Sequence, residues 1–267
     1  MRNYWRNFKQ IFKSGRTLAT PESVDEGVFV FIRCWNRPLF LWSCLDSLYR
    51  HTRSKCKFVI IDNASTDPMV KLVIAGFQRR SMFYGVHFMP TNDGSNQEKI
   101  IQQYRSELGE FFFLLDADIC ISPGKDCWIA NMLRVARRHP KLGLLGSCID
   151  TSDFVSFAEA AALEPDLNEV AINELIKGKS VERSYTPVDN ELINPFRPPG
   201  RLLLVKSALI DKIGVPVGNK RICDAAVKAG YEYGMTPLLI HRHLSLLNIF
   251  DYPDYDYPQL KKYLNKE

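Results

Sequence analysis

Two carboxylates one residue apart, Asp116 and Asp118 with Ala117 between them, follow directly on five large apolar residues, Phe111 to Leu115. Acids at the end of a buried segment are costly unless something satisfies them. A hard divalent cation would do so, since Mg²⁺ is usually held by one or two carboxylates plus the phosphate oxygens of a substrate. The same two acids would also serve as solvated turn residues, one of them capping a following helix. The spacing leaves both readings open.

The elements around the pair narrow the choice. A short apolar run bounded by polar residues is the signature of a strand buried on both faces, as in a parallel sheet. In open α/β sheets the carboxyl ends of such strands hold the ligands. Three comparable runs precede Phe111, namely Val28–Ile32, Phe58–Ile61 and Val86–Met89. The first breaks at Arg33-Cys34-Trp35-Asn36-Arg37, and Pro38 then suits the first turn of a helix whose apolar face is Leu39, Leu41, Trp42, Leu45 and Leu48. The second stops at Asp62-Asn63-Ala64-Ser65-Thr66-Asp67 before a helix through Val70, Ile74 and Phe77. The third turns at Asn92-Asp93-Gly94-Ser95-Asn96 into a helix from Gln97 to Leu108. Strand, polar loop and helix in alternation predict parallel βαβ units, an α/β fold with helices on both faces. No GxGxxG follows the first strand and no GxxxxGK[ST] occurs, so dinucleotide-binding Rossmann and P-loop proteins are excluded.

The second half is less regular. A helix is expected over Trp128–His139, a strand over Leu142–Gly146 and an acid-rich helical stretch over Ala158–Leu175. A strand at Arg201–Val205, helices at Ser207–Ile213 and Cys223–Ala229, and a strand at Thr236–His243 follow, the last placing His241 and His243 on one face. Residues 150–200 have the length and polarity of a lid, with Arg197 and Arg201 available to meet phosphate.

Composition bounds the rest. With 46% hydrophobic and 24% charged residues the chain has ample material for a core. A net charge of +5 is too mild for a nucleic-acid footprint. Seven scattered cysteines without a CxxC pair argue against a disulfide framework or a zinc site and fit a reducing, cytoplasmic setting. There is no apolar run of about 18 residues, the length a membrane helix needs. In residues 1–26, Tyr4, Trp5, Phe8, Ile11 and Phe12 recur at helical spacing among Arg and Lys. Such a segment packs on its own domain or a partner, or lies on an anionic membrane surface as a peripheral contact. Residues 249–267 form an aromatic, proline-punctuated tail.

Taken in order, these features resemble family 2 glycosyltransferases of the GT-A fold. The resemblance is carried by Trp35-Asn36-Arg37-Pro38 after the first strand and Ile60 to Asp67 after the second. It continues with the Asn92-Asp93-Gly94 turn, Leu115-Asp116-Ala117-Asp118 as a DxD motif, His139 to Gly146, Ala229-Gly230-Tyr231 and the late histidines. It implies a domain over residues 27–248, with a nucleotide-binding half at 27–122 and an acceptor half at 123–248. The activity it implies is metal-dependent, inverting transfer of a sugar from a nucleotide-diphosphate donor, UDP-sugar favoured, to a glycan or lipid-linked hydroxyl.

The resemblance also implies site residues. Arg33, Trp35, Asn36, Arg37, Asp62, Asn63, Ser65, Asn92, Gly94, Asp116 and Ala117 would surround the nucleotide, with Asp62 accepting from a pyrimidine N–H. Asp118, with Asp116 and with His243 or His241, would hold Mn²⁺ or Mg²⁺. The acidic pair that usually precedes the late helix is missing from Gly218 to Asp224, so the general base is sought among Asp224, Asp189 and Glu191. Two other readings stand beside this one: a catalytically silent sugar-nucleotide binder or scaffold, and a DxD phosphatase. The latter fits poorly because its DxD normally follows the first core strand.

Overall fold

The computed structural model describes residues 27–150, 152, 154–173, 176, 185–195, 200, 202–214 and 219–244. The amphipathic segment 1–26, the tail 249–267, Arg197 and Arg201 lie outside them. Strands β1 (Val28–Cys34), β2 (Cys56–Asp62), β3 (Phe83–Phe88) and β4 (Phe111–Asp116) form the parallel half of the sheet, in the order β3-β2-β1-β4. They alternate with helices α1 (Pro38–His51), α2 (Pro68–Gln78) and α3 (Ser95–Gln103). The apolar runs become strands because both of their faces are covered. Val30, Ile32, Phe58, Ile60, Phe111, Phe113 and Leu115 belong to one buried cluster, and Phe29, Phe31, Val59, Ile61 and Phe112 to another. Odd and even positions of each run thus face opposite layers, as a period of two requires.

Helices α1, α2 and α4 (Trp128–Arg138) supply the first layer, where the Phe113 and Trp128 rings meet edge to face at 4.9 Å. Helices α3, α6 (Ser207–Ile213) and α7 (Asn219–Lys228) supply the second. Each fully buried phenylalanine of these layers contributes roughly 1.5–3 kcal/mol by leaving water.

The sheet continues from β4 through β9 (Leu202–Lys206), β6 (Leu142–Asp150) and β10 (Glu232–His243) to β8 (Ile193–Pro195) and β7 (Tyr185–Pro187). Strand β9 runs antiparallel to both of its neighbours, whereas β10 is parallel to β6. The result is a mostly parallel, curled sheet flanked by helices, as expected. The short strand β5 (Ile119–Ile121) pairs antiparallel with the end of β10. A small third cluster of Ala160, Leu167 and Ile172 lies apart from both layers, around α5 (Phe157–Leu163). All seven cysteines are free thiols, and no helix among the described residues is long and apolar enough to cross a membrane.

Candidate functional site

Sheet register sets the site. Arg33 lies opposite Asp116 and Cys34 opposite Asp62, so the last residues of β1, β2 and β4 end level with one another. Beyond them opens a cavity of about 430 Å³, lined by Arg33, Cys34, Trp35, Asn36, Arg37, Phe40, Asn63, Asn92, Gly94, Asp116, Ala117 and Asp118. Nine of the eleven residues expected around a nucleotide are in that lining. The other two, Asp62 and Ser65, are not in the lining but contact residues that are, Cys34 and Asn36.

The loops that form the rim hold each other in place. Asn36 N donates to Ser65 Oγ at 2.7 Å, and Asn36 Oδ1 accepts from Thr66 N at 2.9 Å and Asp67 N at 3.1 Å. Ser65 in turn donates to Asp62 Oδ1 through both its backbone N–H, at 3.2 Å, and its hydroxyl. Asn36, Arg37 and Ala64 all adopt left-handed backbone conformations, with φ of 52°, 52° and 63°. Non-glycine residues there cost of order 1–3 kcal/mol unless their surroundings impose the geometry, and they gather at ligand sites. The Asp62 carboxylate is 1% exposed and closes its own loop, which is the local turn chemistry of Asp-Asn-Ala-Ser. Burial, then the neighbouring Asp62 charge, pushes the Cys34 thiol well above its ordinary pKa, so it lines the cavity uncharged.

A chain of amides ties the third loop to the second. Asn96 Nδ2 donates to Asn63 Oδ1 at 2.6 Å and to Thr91 O at 2.7 Å, while Asn63 Nδ2 donates to Asn92 Oδ1. Asn96, buried at the start of α3, is a positioning residue that sequence reasoning missed, as is Phe40, whose ring lies 5.4 Å from the Arg37 guanidinium. Neither has a motif to reveal it.

The DxD acids sit between opposing partners. Arg33 Nη2 donates to Asp116 Oδ1 at 3.0 Å, and Arg37 Nη1 lies 3.6 Å from Asp118 Oδ2. Strand β5 brings the end of β10 back onto the motif. His243 pairs with Ile119, and Leu244 N donates to Asp118 O at 2.7 Å. Buried His243 Nε2 thereby comes to 3.6 Å from Asp118 Oδ1. His241, also buried, instead contacts Ser147 Oγ through Nδ1 at 2.7 Å. Only one of the two late histidines therefore stands beside the motif.

The donor set suits a hard, octahedral cation. One carboxylate and one imidazole leave positions for phosphate oxygens and water, as Mn²⁺ and Mg²⁺ sites require. Among the described residues no three His, Cys, Asp or Glu side chains converge as a complete cage, so substrate oxygens would have to finish the coordination.

The three acids expected to supply a general base do not line the cavity. Glu191 bonds Arg134 and, at 2.8 Å, Arg138, in the last turns of α4. Asp189 Oδ1 accepts from Glu191 N and Leu192 N, both at 2.7 Å, and its other oxygen lies 3.4 Å from His139 Nε2. His139 lies three residues before the start of β6 at Leu142, so both acids belong to the end of the sheet opposite Asp116 and Asp118. Asp224 is on the exposed side of α7, whose Ile222, Cys223 and Ala226 are buried.

The sequence profile of glycosyl transferase family 2 matches residues 29–186, more than half of the chain. The chain belongs to glycosyl transferase family 2. The matched span takes in the four strands of the parallel half from Phe29 onward and Asp116-Ala117-Asp118, whereas His243 lies beyond it. Solved structures of similar fold include the mannosyltransferase PcManGT from Pyrobaculum calidifontis in complex with GDP-Man and Mn²⁺. That pair aligns with a TM-score of 0.54 at 16% identity, over 92% of this chain and 64% of the other. GalNAc-T7 with UDP, GalNAc and Mn²⁺ aligns at 0.58 and 12% identity, over 87% and 46% of the two chains. Glucosyl-3-phosphoglycerate synthase from Mycobacterium tuberculosis, with Mn²⁺, UDP and glucosyl-3-phosphoglycerate, aligns at 0.51 and 12%, over 92% and 81%. At these identities the likeness is one of fold, and the chain spans less than two thirds of the first two proteins. A comparison with curated proteins returned no match.

Proposed function

We propose that this family 2 protein is a metal-dependent, inverting glycosyltransferase that uses a nucleotide-diphosphate sugar, UDP-linked by preference. The observation that carries the reading is that Asp116 and Asp118 line a cavity walled by the loops after β1, β2 and β3, with buried His243 3.6 Å behind Asp118. Complexes of the fold neighbours with GDP-Man or UDP and Mn²⁺ support it. Trp35, Asn63, Asn92 and Gly94 would surround the base and ribose, with Asp116 held towards them by Arg33. Asp118 and His243 would hold Mn²⁺ or Mg²⁺. A divalent cation bound there supplies positive charge against that building on the leaving nucleotide diphosphate. Arg37 would add a further cation on the phosphate side. The acceptor is a hydroxyl of a glycan or lipid-linked glycan presented from the half of the domain at 123–248.

Inversion needs one general base, which must reach the acceptor hydroxyl directly or through one water. Asp189 and Glu191 are at the wrong end of the sheet for that, so Asp224 is the remaining member of the expected set. Since Asp116 and Asp118 are the only acids in the cavity lining among the described residues, a second reading is a binder of sugar nucleotides that does not turn them over. Calorimetric titration of UDP and GDP, with and without Mn²⁺, tests the donor site. Metal-dependent binding by wild type and its loss in Asp118→Ala are expected; no nucleotide binding under any condition overturns the reading. Release of free sugar from a bound UDP-sugar then separates enzyme from silent binder.

A further inference from the structure

We propose that Arg37 is the resident counter-ion of Asp118, and yields that carboxylate to a divalent cation when a nucleotide diphosphate takes up its guanidinium. Metal and nucleotide then bind cooperatively. The inference rests on the donor reading above and adds a coupling between its two ligands.

The two arginine–aspartate pairs of the cavity are unequal. Arg33 and Asp116 are register partners joined by a hydrogen bond of 3.0 Å. Arg37 Nη1 and Asp118 Oδ2 stand 3.6 Å apart, attracted by charge but beyond hydrogen-bonding distance. Asp118 faces Arg37 with one oxygen and His243 with the other, the latter also at 3.6 Å. A cation held between Asp118 and His243 therefore competes for the charge that Arg37 now balances.

Arg37 is built so that only its side chain need move. Its backbone is fixed at φ 52°, its carbonyl accepts from Leu41 N at 3.0 Å, and Pro38 follows. The preceding Asn36 is bolted to Thr66 and Asp67. From that fixed pivot the guanidinium lies 5.4 Å from the centre of the Phe40 ring.

Charge makes the coupling positive. The lining carries two arginines and two aspartates, which cancel. A divalent cation alone would enter beside two guanidinium groups, and a diphosphate alone beside two carboxylates. Entering together they offset one another, and Arg37 passes from carboxylate to phosphate, a ligand it recognises equally well. By linkage each ligand must then tighten the other by the same factor, with typical couplings of about 5–150-fold.

The test is Mn²⁺ titration of the full chain, alone and with saturating UDP or GDP, for wild type, Arg37→Gln and Arg37→Lys. For wild type, nucleotide should tighten Mn²⁺ binding by about tenfold or more, within the usual coupling range. Arg37→Gln should bind Mn²⁺ alone about fivefold or more tighter than wild type, with a smaller gain from nucleotide. Arg37→Lys, which keeps the charge, should bind Mn²⁺ alone no more tightly than wild type. If Arg37→Gln binds Mn²⁺ alone no more tightly than wild type while nucleotide binding persists, the role of Arg37 is overturned and the donor reading stands. If wild type binds neither UDP nor GDP with or without Mn²⁺, both fall.

Discussion

Asn36 has no charge, yet its amide oxygen joins two loops that the chain separates by some thirty residues. It accepts from Thr66 N at 2.9 Å and Asp67 N at 3.1 Å in the left-handed conformation that asparagine tolerates best. Asn36→Ala removes that acceptor and puts a side chain without local hydrogen bonding at φ 52°. The two effects together should lower stability by about 1–3 kcal/mol, moving the urea midpoint without changing the slope. Nucleotide binding should weaken as well, because Trp35 and Arg37 flank the residue. Asn36→Asp keeps the acceptor and should retain most of both; a midpoint for the alanine variant equal to wild type would mean the loops do not depend on this bridge. At this scale residue types were legible and partnerships were not. The resemblance implied a base contact for Asp62; that its Oδ1 also accepts from Ser65 N–H and hydroxyl could not be read in advance. Asn96 did not stand out at all, because an amide chain exists only once two loops approach in space.

Strands β1, β2 and β4 could be read in advance because burial on both faces produces continuous apolar runs. Direction could not be read: the apolar run at β9 looks the same parallel or antiparallel. Strands β5, β7 and β8, three residues each, are too short for alternation to appear. The strand expected at Thr236–His243 begins earlier, at Glu232, and the structure absorbs Pro237 at a register shift between Thr236 and Ile240. The expected helix over Ala158–Leu175 is interrupted after Leu163, since the residue before Pro165 disfavours helix, and helix resumes over residues 169–173. The turn between β7 and β8 gives the acids expected in catalysis a different role. Arg134 and Arg138 lie near the carboxyl end of α4, where cations are favoured, and they clamp Glu191. Partial burial would raise the Glu191 pKa, but the bonds to Arg134 and Arg138 outweigh it and hold the group below its ordinary value of 4.5. The unfolded chain therefore binds its proton more readily, so the stabilisation is present above that value and is lost as pH falls through and below it. Glu191→Gln should lower the melting temperature at pH 7, by an amount that shrinks between pH 5 and pH 3 and in high salt. A gap independent of pH would assign the effect to packing.

Across the whole molecule the described residues form two large buried layers and two small clusters, one of them Cys148, Ile193 and Met235. The layers on either face of the sheet share β1, β2 and β4, so neither opens without exposing the other. The cluster of Ala160, Leu167 and Ile172 buries only three side chains. At roughly 1.5–3 kcal/mol for each large one, they cannot offset about 1–2 kcal/mol of backbone entropy for every residue ordered around them. Contact with the rest of the domain must hold that region in place, and regions of this kind open first. Native-state hydrogen exchange should accordingly show the amides of α5 exchanging at a lower free energy than those of β4, which should approach global unfolding. Adding Mn²⁺ and UDP should then raise protection around Asn36, Asn63 and Asn92, where the rim loops meet. If residues 150–200 close over the donor, α5 should gain protection in the same experiment. Unchanged exchange in α5 alongside a protected rim would remove the lid role from this segment and leave the donor site open to solvent. Equal opening energies in α5 and β4 of the free protein would instead show that the small cluster is part of the main core.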